Sequence, residues 1–104
     1  MSVGIVIVTY RCRDLALRCL RSIETHLPHV LETTVVVDNA SGDGTIEAVG
    51  EAFPSVRRVA NTRNAGFAAG VNAGIRALDD CSAVLLLNPD SEVLDANLEK
   101  AAVW

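Results

Sequence analysis

Val3 to Thr9 reads Val-Gly-Ile-Val-Ile-Val-Thr, a run rich in β-branched residues in which no polar residue alternates with the apolar ones. β-Branched side chains are stiff and fit a pleated surface, so the run is a strand. A strand that is apolar on both faces must be covered on both, which is the condition of a parallel sheet between two layers of helix. That requirement reaches the whole chain: each strand has to be followed by a helix that crosses back, right-handed, to the next strand.

The chain meets it. From Asp14 the apolar residues Leu15, Cys19, Leu20, Ile23 and Leu27 recur at helical spacing, Arg18, Arg21 and Glu24 take the other face, and Pro28 ends the run. Thr33 to Val37 repeats the β-branched pattern and Asp38 closes it. Asn-Ala-Ser-Gly-Asp-Gly-Thr, residues 39 to 45, is a loop, with Ser41 or Asp43 placed to cap a helix carrying Ile46, Val49 and Phe53. Pro54 stops that helix, and Ser55 to Ala60 is a short third strand.

From Asn64 to Leu78, Phe67, Val71, Ile75 and Leu78 form a helical stripe, while Gly66, Gly70 and Gly74 recur on an adjoining face. A glycine inside a helix costs about 1 kcal/mol relative to alanine. Close approach of the helix to the sheet accounts for Gly70 and Gly74; at Gly66 a ligand passing the backbone is an equal reading. The fourth strand, in the stretch Ala83 to Glu92, is apolar enough to be buried on both faces, and Asp95 to Trp104 begins another helix. The order is β-α-β-α-β-α-β-α, an α/β domain.

Composition narrows the function. Half of the 104 residues are hydrophobic and mean hydropathy is +0.30, enough for a packed core. A net charge of -4 and a pI near 5.0 exclude a nucleic-acid binder held by phosphate contacts. Arg11, Arg13, Arg18 and Arg21 are nevertheless clustered, and they read as a solvated helix face in preference to an anion site. Cys12, Cys19 and Cys81 lack the spacing of a zinc or redox motif and read as free structural thiols in a reducing compartment. With no long apolar run and no charged leader before Val3, the chain is expected to be cytoplasmic, with contact to the inner face of a membrane left to other regions.

Chemistry gathers at the strand ends. In open α/β sheets ligands bind at the carboxyl edge, and there the chain offers Thr9 with Tyr10, then Asp38, then Asn88 with Asp90. Pro89 cannot donate to a ladder, so the sheet stops there. A carboxylate directly after a buried strand suits a ribose or base edge; Asp38 suits equally the capping of its own loop. Asn88-Pro89-Asp90 is either a turn or a site where one carboxylate and substrate phosphates hold Mg²⁺ or Mn²⁺. No GxGxxG follows the first strand, no GxxxxGK[ST] occurs, and neither His26 nor His29 lies near a strand end.

Four segments together resemble family 2 glycosyltransferases: Ile-Val-Thr-Tyr at 7 to 10, Val-Val-Asp-Asn-Ala-Ser-Gly-Asp-Gly-Thr at 36 to 45, Asn-Ala-Gly-Phe-Ala-Ala-Gly-Val-Asn-Ala-Gly at 64 to 74 and Leu-Leu-Asn-Pro-Asp at 86 to 90. The Asn-Pro-Asp form is similar to the branch containing rhamnosyltransferases and other cell-surface polysaccharide transferases. The resemblance implies a GT-A fold, whose first half is a Rossmann-like parallel sheet in the order 3-2-1-4. It also implies inverting transfer of a sugar from a nucleotide diphosphate donor to a saccharide or lipid-linked acceptor. By motif match Thr9 and Tyr10 line the nucleoside pocket, Asp38 binds base or ribose, Asn64 and Gly66 pass beside the nucleotide, and Asn88 and Asp90 stand at the Asp-x-Asp metal motif. Asn88 departs from that motif's first acid.

The whole of residues 1-104 is thus expected to be the nucleotide-sugar-binding half, with the acceptor half and the general base absent. An uncovered sheet edge is expected to favour a homo-oligomer. Two other readings stand beside it: a non-catalytic nucleotide-binding or regulatory module, and a receiver-like signalling domain. The latter requires an acidic pair where Thr9 and Tyr10 stand.

Overall fold

The computed structural model describes residues 2–95. Strand β1 (Val3–Thr9) is followed by helix α1 (Arg13–His26) and a 3-10 segment (Pro28–Thr33). Then come β2 (Thr34–Asp38), α2 (Thr45–Ala52), β3 (Arg57–Ala60), α3 (Phe67–Ala77) and β4 (Ala83–Leu87). All pairings are parallel and the order is β3-β2-β1-β4. The expected α/β fold and strand order are therefore observed. The helix expected from Asp95 onward falls on residues 96–104, outside the described residues. No helix among the described residues is long and apolar enough to cross a membrane.

The alternation of β1 feeds two cores. Ile5 and Ile7 point to one face, where Cys19, Leu20 and Ile23 of α1 and Val49 of α2 close over them. Val6 points to the other with Val35, Val37 and Leu78, beneath α3. Each of these side chains that is fully buried contributes on the order of 1.5–3 kcal/mol relative to exposure. Leu15, counted into the α1 stripe, is 40% exposed, and Ala16 takes its place inside. Pro28 ends α1 by opening the 3-10 segment, which buries Val30 and Leu31 and was not expected.

Helix α3 inverts its expected orientation. Phe67 and Ile75 are 59% and 45% exposed, and Gly70 and Gly74 face the sheet. A Cβ on Gly74 would stand 2.5 Å from Val6 Cγ1, and one on Gly70 would stand 2.8 Å from Val8 Cγ1, so the helix lies where only glycine fits. Of the proposed stripe, Leu78 alone is buried, just past the end of the helix.

Strand β4 also differs from expectation. It pairs with β1 on one side only, and Leu86 is 50% exposed, so it is a half-exposed margin of the described sheet and not a strand buried on both faces. Pro89 and the polar residues around it end the strand as anticipated. Among the described residues, Leu86 on β4 and Leu94 after it are exposed apolar side chains, Leu94 at 77%.

Candidate functional site

The sheet register pairs Thr9 with Asp38, so the ends of β1 and β2 meet at the carboxyl edge. Thr9 is fully buried, and its hydroxyl donates to Asp38 Oδ1 at 2.9 Å. The loop after β2 then turns back on the same carboxylate. Ser41 donates its hydroxyl to Asp38 Oδ1 at 2.5 Å and its backbone N–H to Oδ2 at 3.0 Å. Arg11 closes the ring by donating its backbone N–H to Ser41 Oγ at 2.7 Å.

Asp38 is 7% exposed and receives three donors, so it ties β1, β2 and the 39–45 loop together. Its remaining surface borders a cleft of about 330 Å³ shared with Gly42, Gly44, Thr45 and Ala60. Neither Ser41 nor Asp43 occupies the cap position of α2, which is Gly44; Asp43 stands one residue earlier and accepts from the N–H and hydroxyl of Thr45 at 3.2 and 2.5 Å. The Thr45 hydroxyl, more than any other cause, holds the Asp43 carboxyl below its ordinary range.

Two residues without glycine's freedom adopt left-handed backbone here, Arg11 at φ 54° and Ala40 at φ 59°. Each costs about 1–2 kcal/mol, and such strain collects where a site over-determines the chain. Tyr10 is 44% exposed and lies under the Arg11 guanidinium, 5.1 Å from carbon to ring centroid.

Asn39 carries the edge across to α3. It is buried, donates its N–H to Thr9 O at 2.9 Å and its side-chain amide to Gly66 O at 3.3 Å, and accepts from Asn61 Nδ2 at 2.7 Å. Asn64 Oδ1 accepts from the N–H of Gly66 at 2.9 Å, and Gly66 takes φ 96°, a conformation open to glycine with nothing within 4 Å of its missing Cβ. Asn64 and Gly66 thus form a tight exposed turn next to the site. Nothing in the sequence singles out Asn39 or Asn61 as a site residue, although Asn39 lies within the segment 36 to 45.

At the end of β4, Ser91 N–H donates to Asn88 O at 2.9 Å and the chain turns onto α1. Val93 N–H reaches Ser22 Oγ at 2.9 Å, and Glu92 pairs with Arg18. Asn88 and Asp90 stay exposed, and no hydrogen bond or ion pair ties the Asp90 carboxylate to any described residue. Burial pushes the Cys12 thiol up, opposed by a hydrogen bond with the Tyr10 backbone and aided by the charges of Asp43, Asp38 and Asp90. Acids from three loops therefore act on one spot. Cys19, raised to about 11 by burial and then by Asp90 and Glu92, is an inert core thiol, and all three cysteines are free.

The sequence model of glycosyl transferase family 2 matches residues 4–102. The chain belongs to that family. Among solved structures, this family 2 chain superposes on TarS of S. aureus with a TM-score of 0.80 at 21% identity, over 98% of this chain and 19% of TarS. The 1–349 form of TarS in complex with UDP-GlcNAc gives 0.80 at 20% identity, over 98% and 30%. Mannosyltransferase PcManGT of Pyrobaculum calidifontis, in complex with GDP-Man and Mn²⁺, gives 0.77 at 26% identity, over 91% and 29%. The chain spans less than a third of the length of each. No curated protein matches it.

The fold of these relatives is the one described above. As for a metal, no three His, Cys, Asp or Glu side chains cluster among the described residues, so a cage made by protein alone is not what the edge provides. It provides one unpaired exposed carboxylate, Asp90, beside the Asn88 amide. Those donors fit a hard divalent cation whose other ligands are diphosphate oxygens and water.

Proposed function

We propose that these residues are the donor-binding half of a glycosyltransferase that takes a nucleoside diphosphate sugar and transfers the sugar with inversion. The observation that carries the reading is the convergence, at one sheet edge, of a buried carboxylate network and an unpaired exposed carboxylate. Support comes from the family, and from relatives in complex with GDP-Man and UDP-GlcNAc. Within this reading the chain belongs to the rhamnosyltransferase-like branch, works in the cytoplasm at the inner face of a membrane, and serves cell-surface polysaccharide synthesis on a saccharide or lipid-linked acceptor.

Roles follow from position. Tyr10 and the cleft beside Asp38 receive the nucleoside, with Thr9 and Ser41 fixing the carboxylate. Asn64 and Gly66 border the nucleotide on the α3 side, and Gly66 keeps that approach free of a side chain. Asn88 and Asp90 would hold Mg²⁺ or Mn²⁺ beside the diphosphate, and the cation would neutralise charge on the leaving group. The general base and the acceptor site belong to sequence outside residues 1–104, and a base is required to deprotonate the acceptor hydroxyl.

Calorimetric titration of the chain with UDP, GDP and their sugars, with and without Mn²⁺, tests the proposal. At least one diphosphate should bind, more tightly with Mn²⁺, and no sugar should pass to an acceptor. Absence of binding across the panel would overturn the reading, and sugar transfer by the 104-residue chain alone would overturn its division into halves.

A further inference from the structure

A nucleoside diphosphate brings negative charge to an edge that already holds Asp38, Asp43 and Asp90, in a chain whose net charge is -4. A cation of the protein at this edge would offset part of that charge beside any metal. Four of the eight arginines are committed. Arg13 lies on Asp14 at 3.4 Å and donates to the Asp43 carbonyl at 3.1 Å, Arg18 pairs with Glu92, Arg57 with Asp80, and Arg58 reaches the Ile46 carbonyl. Arg63 and Arg76 line a separate hollow against α3.

Arg11 differs from all of these. It precedes α1 and so is not on the helix face to which its sequence position assigned it. Its backbone is held at φ 54°, with the N–H fastened to Ser41, and no described carboxylate pairs with its guanidinium. The group lies over the Tyr10 ring and lines a cleft of about 380 Å³ with Cys12, Arg13 and Asp43. A cation–π contact uses none of the guanidinium's hydrogen-bond donors, so its N–H fork, which matches phosphate oxygens, is left for a ligand.

Resting on the donor-site reading, we propose that Arg11 is the diphosphate-binding cation of this site, held ready on Tyr10 by a strained backbone. A mobile surface arginine loses side-chain freedom when it binds; one already held against an aromatic ring loses less.

The test measures binding to wild type, Arg11→Gln and Arg11→Lys in EDTA, using inorganic pyrophosphate, UDP or GDP according to which binds wild type, and the matching nucleoside. Loss of one charge-assisted contact should weaken the diphosphates roughly ten- to thirtyfold and leave the nucleoside unchanged, with Arg11→Lys between. Arg11→Gly, which relieves the left-handed strain, should unfold at a higher temperature and still lose the diphosphate. Unchanged diphosphate affinity in Arg11→Gln overturns the inference, and so does an equal loss of nucleoside and diphosphate, which would mean a role through Ser41 and Asp38. If wild type binds none of the probes, the donor-site reading itself fails; if wild type binds and Arg11→Gln binds equally, only Arg11's role fails.

Discussion

Asp38 and Asp90 each follow an apolar strand and each reach the carboxyl edge of one sheet, yet they are in opposite physical states. Asp38 is 7% exposed and holds three donors, whereas Asp90 is exposed and paired with no described residue. The difference comes from the neighbours of each strand. β2 lies between β1 and β3, and its loop folds back over its last residue, while β4 is the margin of the described sheet and Pro89 turns the chain outward. A buried carboxylate with its hydrogen bonds made shapes a site; an exposed one without partners keeps its charge for a ligand.

The largest effect that tests this contrast is on stability. Asp38→Ala leaves the Thr9 hydroxyl and the Ser41 hydroxyl and N–H without their acceptor inside the fold. It should cost about 2–4 kcal/mol, read as a lowered urea midpoint with unchanged slope. A loss under about 0.5 kcal/mol would mean that water replaces the carboxylate freely, and the contrast with Asp90 would collapse.

The central strands are legible because they state their burial in their own residues: Val3 to Thr9 and the valines of β2 have few other ways to be satisfied, whereas the equally apolar β4 is a half-exposed margin of the described sheet. The third helix was half legible. Spacing identified the helix and raised close packing for Gly70 and Gly74, but hydrophobicity pointed Phe67 and Ile75 inward, when the residues allowing the closest approach carry no side chain at all. At the site, the strand ends could be found from the sequence. The Ser41–Asp38 bond could not, because a serine in a glycine-rich loop looks like a cap whether or not it turns back on a carboxylate. Arg11 was read as part of a helix face because nothing in an arginine's chemistry signals a left-handed backbone; only the loop that holds it does.

An intermediate effect sharpens the comparison from inside the network. Ser41→Ala removes one acceptor for the Arg11 N–H and one donor to Asp38, but leaves Asp38 bound to Thr9 and to the Ser41 backbone. It should cost about 1 kcal/mol. If the network acts as a unit, the double variant Ser41→Ala, Asp38→Ala should be no less stable than Asp38→Ala alone. Additive losses in chemical denaturation would show that Ser41 stabilises the loop independently of the carboxylate.

The smallest effect on stability is expected at Asp90. Strand β4 is held by its ladder with β1 from Ala83 to Leu87, and Asp90 lies beyond it in a turn closed by the Ser91 N–H on Asn88 O. Asparagine has nearly the same shape and favours the same turn, so Asp90→Asn should shift stability by less than about 0.5 kcal/mol. Binding is where the change should appear. If Asp90 is the only carboxylate on the cation, its loss should abolish most of the increment that Mn²⁺ adds to diphosphate affinity, while the affinity measured in EDTA, which depends on Arg11 and the nucleoside contacts, should hold. Titration of Asp90→Asn with UDP or GDP in Mn²⁺ and in EDTA separates the two quantities. An intact Mn²⁺ increment would remove the metal from the end of β4, and a large loss of stability would show that Asp90 is structural like Asp38, so that the two ends of the sheet no longer differ.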